Sequence, residues 1–498
     1  MKPRFFSVRA LSLVLVTGLM VGCDEMLDVT PPDARLLDEA FSTPDLVEGQ
    51  LIGAYANLQA VGSFGTNAKF APDLYVSSGS VPGGGITTND SIAIAGYYLV
   101  WNGTFNSYSE MNGQDMAPDN ADALNNWTAN YAIINRANLI LDNLAAVTDA
   151  AQATRISAEA RFLRAVAHFE LVRTYGHPYS APGANPSSDL GIIIATAPPP
   201  DGTSGIFSAP PRPRNVVADV YAQVIADLIF ARDNLDEYND AGGLEQAFRA
   251  NSLTASAMLA RVYLLQGDYD AAGEEAQNVI ESGVFTLLDD PIDAFLTPNS
   301  AEAIWEVQNN ATDNSGTNNS GLATFYNSAG NGGRGDARVS WFFPSAAGYE
   351  SGDKRLSTTT GGFFYVSGTS TYCQKWNNPQ SNYNIIRLAE MYLIRAECTL
   401  RGWGGSTATA DEDINAIRTR ANATPITGAT INDVLLERLR ELCFEGEEFY
   451  TMKRVGGDSY LRPGAPANTI DGVPIIDRRL LFAIPFRELE LNPGLVQN

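Results

Sequence analysis

The sequence predicts a mainly α-helical fold, built as an irregular tetratricopeptide-like scaffold of helix pairs with long aromatic-rich loop insertions. Three observations support this prediction: helical periodicity of apolar residues, one repeat with tetratricopeptide spacing, and two long segments rich in Gly, Ser, Asn and aromatic residues. The chain has 498 residues, of which 45% are hydrophobic. It can therefore bury a large core.

The segment 158–178, AEARFLRAVAHFELVRTYGHP, predicts an amphipathic helix. Its apolar side chains recur at three- and four-residue spacing, which places them on one stripe. Basic side chains fall on another face. Gly176 and Pro178 end the helix, because glycine caps a helix and proline cannot continue it.

The segment 252–282 has small and aromatic residues at tetratricopeptide spacing, with Gly267 and Asp268 in the turn between two helices. Small residues such as Ala260 let the two helices approach closely. In such scaffolds, each pair buries a face of its neighbour. Looser helical patterns occupy 127–144, 156–175, 217–235, 383–400, 414–420 and 434–454.

Two long segments, 64–119 and 309–382, interrupt the helical pattern. Long loops are uncommon in a compact protein unless they have a function, and disordered segments lack aromatic residues. We expect these insertions to fold over the scaffold and to carry the binding surface. The proline-rich segment 198–213 is expected to be a surface connection between two halves.

The N-terminus predicts a lipoprotein signal peptide over 1–22. A basic start, an apolar run too short to span a bilayer, and small residues before Cys23 support this interpretation. Processing would leave an acylated Cys23, followed by an acidic tether over 23–40 and one domain over 41–498, with halves at about 41–215 and 300–498. A plain secretory signal is the alternative.

The chain is strongly acidic, with a formal net charge of −24. A surface of this charge repels polyanions, so nucleic acid is an unsuitable partner. Cys398 and Cys443 fall on predicted helices and are expected to be buried free thiols, with a disulfide between them as the alternative, and Cys373 falls in a loop. No cysteine or histidine spacing predicts a metal site, and no cofactor is predicted.

Catalysis is not predicted. The two histidines, His168 and His177, lie on or just after the 158–178 helix, and neither belongs to a recognised catalytic motif. A glycosidase needs only two carboxylates at the right separation, so this class of enzyme stays open as an alternative.

Several motifs resemble the SusD/RagB family of surface lipoproteins. They are Ala-Arg-Phe-Leu-Arg-Ala at 160–165 with Tyr-Gly-His-Pro after it, the helix 384–397, the helical stretch 437–454, and the terminal 484–498 with its Ile-Pro, Asn-Pro and Gln-Asn. Glu448 and Thr451 stand where the family has Arg and Asp, which puts a local ion pair in doubt. In 484–498, Ile484, Leu489 and Leu491 are expected to pin the end of the chain to the body, together with Leu495.

The resemblance implies a lipid-anchored subunit on the extracellular side of the outer membrane. Such a subunit captures a glycan or an oligopeptide and delivers it to a SusC-like TonB-dependent barrel, and it contacts the membrane only through its anchor. A tetratricopeptide scaffold lipoprotein that binds only proteins is the alternative, although plain adaptors have short loops between their helices.

The candidate ligand-binding residues are aromatic and amide side chains of the two insertions. Sugars pack their C–H faces on aromatic rings and bind amides through their hydroxyl groups. The resemblance places a sugar-stacking tryptophan near Trp101, and each ring has packing in the core as its alternative role. The candidates are Tyr75, Trp101, Asn102, Trp341, Tyr365 and Trp376.

Overall fold

A computed structural model describes residues 37–76, 98–198, 212–236, 247–314, 320–340, 343–358, 361–461 and 465–498. Cys23, Trp341, the signal peptide 1–22 and most of the tether lie outside these residues, as does most of the proline-rich segment. The helices are α1 (Leu37–Ala40), α2 (Pro44–Ala56), α3 (Asn67–Tyr75), α4 (Asn106–Asn112), α5 (Ala121–Asp142), α6 (Ala150–Tyr175), α7 (Val217–Asn234), α8 (Ser252–Gln266), α9 (Tyr269–Glu281), α10 (Asp293–Leu296), α11 (Leu322–Tyr326), α12 (Phe343–Ala346), α13 (Leu388–Leu400), α14 (Ala410–Arg420), α15 (Ile431–Leu442), α16 (Glu448–Val455) and α17 (Phe486–Leu491).

The strands are short and form four antiparallel two-stranded sheets in the described part of the chain. The pairs are β1 with β3, β2 with β6, β4 with β5, and β7 with β8. Their bounds are β1 (Leu99–Trp101), β2 (Ala303–Val307), β3 (Ala337–Val339), β4 (Phe364–Ser367), β5 (Ser370–Cys373), β6 (Tyr383–Arg387), β7 (Thr469–Ile470) and β8 (Val473–Pro474).

Helix pairs form the body of the protein, as predicted. From α5 to α9 each helix packs against the next, and α13 packs against α9, α14 and α15. The predicted repeat is confirmed, because Gly267 ends α8 in the left-handed conformation (φ 85°) and Asp268 caps α9 by accepting from the Ala271 amide at 3.1 Å. Ala260 is fully buried on α8.

Helix α6 includes the predicted helix, but it is buried on nearly all sides from Ile156 to Tyr175 and is therefore not amphipathic. Its basic residues Arg161 and Arg164 face α7. Asp149 caps its first turn by accepting from the Gln152 amide at 2.7 Å, and the helix ends before Gly176. Arg164 is buried and makes two hydrogen bonds of 2.8 Å to Asp227 on α7. The polar face is therefore a contact between two helices, held by a buried, bidentate ion pair.

Two predicted helices differ from the structure. The first five residues of 383–400 form β6, because they pair with β2 far away in the sequence. The stretch 434–454 is broken between α15 and α16, where Phe444 (φ 61°) and Gly446 (φ 80°) are left-handed. A Cβ atom on Gly446 would lie 2.6 Å from Lys69 Cα, so the backbone of α3 requires glycine there. Cys443 consequently lies just after a helix and not within one.

The last residues are docked on the body, as expected. Ile484 and Leu495 are buried, and the Gln497 side chain bonds both the N–H and the C=O of Ile484 at 2.7 and 2.9 Å. Asn498 donates to the Phe482 carbonyl at 2.6 Å. Leu491 does not act as a pin, because its side chain is 46% exposed on the outer side of α17.

The three cysteines of the described residues, Cys373, Cys398 and Cys443, are free buried thiols, which agrees with the first interpretation rather than with a disulfide. Burial raises the pKa of the Cys443 thiol to about 11, so it stays protonated. Among the helices that the structure describes, none combines the length and the apolar character needed to cross a bilayer.

Candidate ligand-binding surface

Tyr75 and Trp376 are core residues, which corrects their prediction as ligand-binding residues. Tyr75 is fully buried on α3, and its ring stacks on Phe449 with centroids 4.9 Å apart. Trp376 is 1% exposed and donates its indole N–H to the Phe444 carbonyl at 2.6 Å. Both rings fill the space between the insertions and the scaffold, where large aromatic rings bury the most apolar area.

Trp101 lies at the edge of the core and is half-buried. It ends β1, opposite Ala337 of β3, and its indole N–H donates to Ser109 Oγ at 3.0 Å. Its ring contacts Phe70 of α3 edge-on, with centroids 5.8 Å apart. A Cβ atom on Gly103 would lie 2.2 Å from the indole, so a larger residue at 103 would have to displace the ring or the chain beside it.

The segment 101–106, Trp-Asn-Gly-Thr-Phe-Asn, alternates between half-buried and exposed residues. Trp101 and Phe105 are half-buried, whereas Asn102, Thr104 and Asn106 are exposed. This alternation presents hydroxyl and amide groups next to aromatic rings, an arrangement suited to ligands that have both apolar faces and hydroxyl groups.

The loop 327–336 places an ion pair, Arg334–Asp336, next to Asn102 and Phe105. The Asn102 amide donates to the Asp336 carbonyl at 2.7 Å, and the Arg334 guanidinium donates to the Asp336 carboxylate at 2.6 Å. Arg334 also lies over the ring of Phe105, with Cζ 4.6 Å from the centroid. Sequence reasoning missed Phe105, Arg334 and Asp336, because they come from two segments far apart in the sequence and form no motif.

Tyr365 lies on the other side of this loop, in the β4–β5 hairpin. Its ring stacks on Tyr372, with centroids 5.6 Å apart. Its hydroxyl donates to Asn327 Oδ1 at 3.2 Å and accepts from the Ser328 amide at 2.8 Å. The loop 327–336 thus contacts the predicted residues Asn102 and Tyr365, and β3, which follows it, contacts β1 and the β5 strand of the hairpin that carries Tyr365.

We call this region the Trp101 surface, and it offers three half-buried rings, the exposed amide side chain of Asn102 and an ion pair. Among the described residues, no group of three or more His, Cys, Asp or Glu side chains could hold a metal ion. Its residues are Trp101, Asn102, Phe105, Arg334, Asp336 and Tyr365.

Neither histidine belongs to this surface. The His168 ring bonds the Arg164 carbonyl at 3.0 Å and accepts from the Ala195 amide at 3.2 Å. Burial lowers the pKa of His168 to about 4, so the ring is neutral near pH 7. His168 therefore links α6 to the chain around residue 195 and has a structural role.

Comparison with known proteins agrees with this architecture. Residues 343–498 match the family model described as "SusD family", and residues 86–264 match the model described as "Starch-binding associating with outer membrane". A SusD-like protein of Bacteroides ovatus is 25% identical over 382 residues, which cover 66% of this chain and 64% of that protein. The chain spans less than two thirds of the length of the curated relatives that it matches first, 46% in one case and 64% in the other.

Solved structures share the fold over nearly the whole chain. A SusD superfamily protein of Bacteroides thetaiotaomicron superposes with a TM-score of 0.73 at 23% identity, covering 92% of this chain and 99% of the other. A laminarin-binding SusD-like protein has a TM-score of 0.66 at 23% identity and the same coverage. The two family models and these folds agree: the chain is similar to SusD/RagB proteins in sequence over 86–264 and 343–498, and in fold over 92% of its length.

Proposed function

We propose that this protein captures glycans on the Trp101 surface and delivers them to a SusC-like TonB-dependent transporter of the outer membrane. The observation that carries the proposal is the convergence of Trp101, Phe105 and Asn102 with the Arg334–Asp336 pair on one surface of the helical scaffold. Aromatic faces bind the apolar side of a sugar ring, and the polar groups bind its hydroxyls. Binding, without bond-breaking chemistry, is the mechanism.

The relatives support a glycan as the ligand. One matching family model is described as starch-binding, and one structural neighbour binds laminarin. Starch and laminarin are neutral glucans, and a neutral ligand suits a chain with a net charge of −24. Arg334, the basic residue of the Trp101 surface, is neutralised by Asp336, which favours a neutral ligand over an anionic one.

The location follows as a second part of the proposal. Cys23 would carry the lipid, the signal peptide 1–22 would be removed, and the acidic tether would lead to the body on the extracellular side. The Cys23→Ser variant should stay unprocessed and take up no alkyne palmitate in cells. Labelling of the variant, together with fractionation in the outer membrane, would contradict the anchor.

A binding screen tests the ligand. The purified protein without its signal peptide should bind neutral glycans on an array and should not bind peptides. Calorimetry should then give its affinity for the glycans it binds. If the protein binds only peptides, the ligand is an oligopeptide and not a glycan. Release of reducing ends from a bound glycan would instead identify a glycosidase. A partner protein without any glycan binding would favour the tetratricopeptide adaptor.

A further inference from the structure

A small cavity between the end of α6 and α16 has an unusual lining. Its volume is about 10 Å³, enough for one water molecule or one small ion. No Asp or Glu belongs to the lining, although the whole chain has 57 acidic and 33 basic residues. Six of the eight lining residues are basic or tyrosine: Arg173, Lys453, Arg454, Tyr179, Tyr221 and Tyr450.

Lys453 is the lining residue whose charge is least compensated. Its side chain is 1% exposed, and its ammonium group reaches the carbonyls of Arg173 at 3.5 Å and Leu480 at 3.3 Å. None of the described carboxylates lies within ion-pair distance of Nζ. Burial without a counterion lowers the pKa of Lys453 to about 7, whereas a bound anion would favour the charged ammonium.

The two arginines of the lining contribute further free donors. Arg173 pairs with Glu170 and Glu447 through its terminal nitrogens, and Arg454 pairs with Glu397 in the same way. In both arginines the Nε atom is buried and has no hydrogen-bond acceptor in the part of the chain that is described. Buried donors are almost always satisfied by protein, water or an ion, so these two Nε groups, on residues that line the cavity beside an ammonium without a carboxylate partner, call for an acceptor.

We propose that this cavity binds a small inorganic anion of the size of chloride or bromide, held by Lys453 and by the Nε groups of Arg173 and Arg454. A single-atom anion suits the volume, and its charge compensates the buried ammonium. A water molecule could satisfy the donors but would leave the charge uncompensated. The site links α6 to α16 and is independent of the Trp101 surface, so it would act on stability rather than on glycan affinity.

Two measurements test the site on the purified body without its signal peptide. Crystals soaked in sodium bromide should give an anomalous peak beside Lys453 Nζ. The melting temperature of the wild-type protein should be higher in sodium chloride than in sodium gluconate of equal ionic strength, by on the order of 1–2 °C, because gluconate is too large for the cavity.

The Lys453→Met variant should lose this difference between chloride and gluconate. It is expected to fold, because replacing a buried charge that lacks a counterion removes a desolvation cost. Lys354→Met removes one positive charge from a residue outside the cavity and should keep the wild-type difference.

Three outcomes would overturn the proposal. They are a bromide map without a peak in the cavity, equal melting temperatures of the wild-type protein in the two salts, and a chloride effect that persists in Lys453→Met. The first two need no variant, so they decide the matter even if Lys453→Met does not fold.

Discussion

The helical scaffold and the Trp101 surface use the same kinds of side chain in opposite ways. In the scaffold, charged groups are buried and paired: Arg261 of α8 is 2% exposed and donates to the Glu390 carboxylate of α13 at 3.1 and 2.5 Å. On the Trp101 surface, rings are half-buried and amides are exposed. A scaffold satisfies the hydrogen bonds of its own polar groups, whereas a binding surface leaves some donors and acceptors exposed for a ligand.

The prediction with the largest expected effect removes one charge from the scaffold. Glu441 accepts from Arg387 at 2.7 Å, from Arg355 at 3.0 Å and from Arg420. Glu441→Gln leaves these buried cations short of a counterion and should lower the free energy of unfolding by about 3–5 kcal/mol. Urea unfolding measures the loss, and Glu274→Gln, at an exposed position of α9, is the control that should change little.

The same residue predicts a pH dependence. Burial alone would raise the pKa of Glu441, but the surrounding arginines outweigh it and hold the pKa well below 4.5. A lowered pKa in the folded state means that stability is present above about pH 4.5 and is lost as the pH falls below it. The wild-type protein should therefore lose more stability than Glu441→Gln between pH 5 and pH 2. Melting temperatures measured across this pH range test the prediction. If they fall equally in the two proteins, the Glu441 charge is not a source of stability.

A second scaffold prediction concerns the close approach of helices. Ala260 is fully buried on α8, which packs against α7 and α9, so Ala260→Leu should overpack the contact and cost about 1–3 kcal/mol. Thermal unfolding measures the cost. Asn278→Leu adds the same side chain at an exposed position of α9 and should have little effect. An unchanged melting temperature for Ala260→Leu would show that the packing of α8 does not require a small residue at position 260.

The third prediction concerns the Trp101 surface. Trp101→Ala should weaken binding of an identified glycan by about tenfold to a hundredfold, about 1–3 kcal/mol, because the ligand loses a preformed apolar face. A fully exposed ring would leave the melting temperature unchanged, but Trp101 also packs on Phe70, so some stability should be lost as well. Calorimetry and thermal unfolding on one variant separate the two effects.

A tryptophan of the scaffold offers the matched control for that experiment. Trp403 is half-buried, like Trp101, but its ring lies over Gly273 of α9. Trp403→Ala should lose stability and keep its glycan affinity. Equal affinities of the Trp101 and Trp403 variants would exclude Trp101 from the binding site.

The smallest effect is expected for a hydroxyl group at the edge of the surface. Tyr365→Phe removes the hydrogen bonds to Asn327 and Ser328 and should cost about 0.5–1.5 kcal/mol of stability. If the loop 327–336 positions Arg334 for the ligand, affinity should also fall severalfold. Tyr372→Phe, which changes the other ring of the stacked pair, is the control. A loss of stability without any loss of affinity would limit Tyr365 to a structural role.

Sequence reasoning succeeded where the signal was local. The end of α6 at Gly176 and the bounds of α8 and α9 follow from local signals, and Gly267 marks the turn between α8 and α9, whereas α6 begins at Ala150, six residues before the predicted start. It failed where a distant segment decides the structure. The prediction extends a helix back through residues 383–387, but pairing with β2 makes them a strand, which also suits their Tyr and Ile side chains.

The binding surface shows the same limit. Tyr75, Trp101 and Trp376 are all aromatic residues of the insertions, and only tertiary packing decides which of them is fully buried. Phe105 and Arg334 meet only in the folded chain, so no spacing along the sequence could place them together. The ligand remains a proposal because scaffold motifs do not specify it.

Gly103 gives the Trp101 surface an unusual genetic sensitivity. Because even one methyl group at residue 103 would meet the indole at 2.2 Å, alanine there must displace either the ring or the chain around it. If the Trp101 surface binds a glycan as proposed, substitution of Gly103 would weaken binding without changing any side chain of that surface.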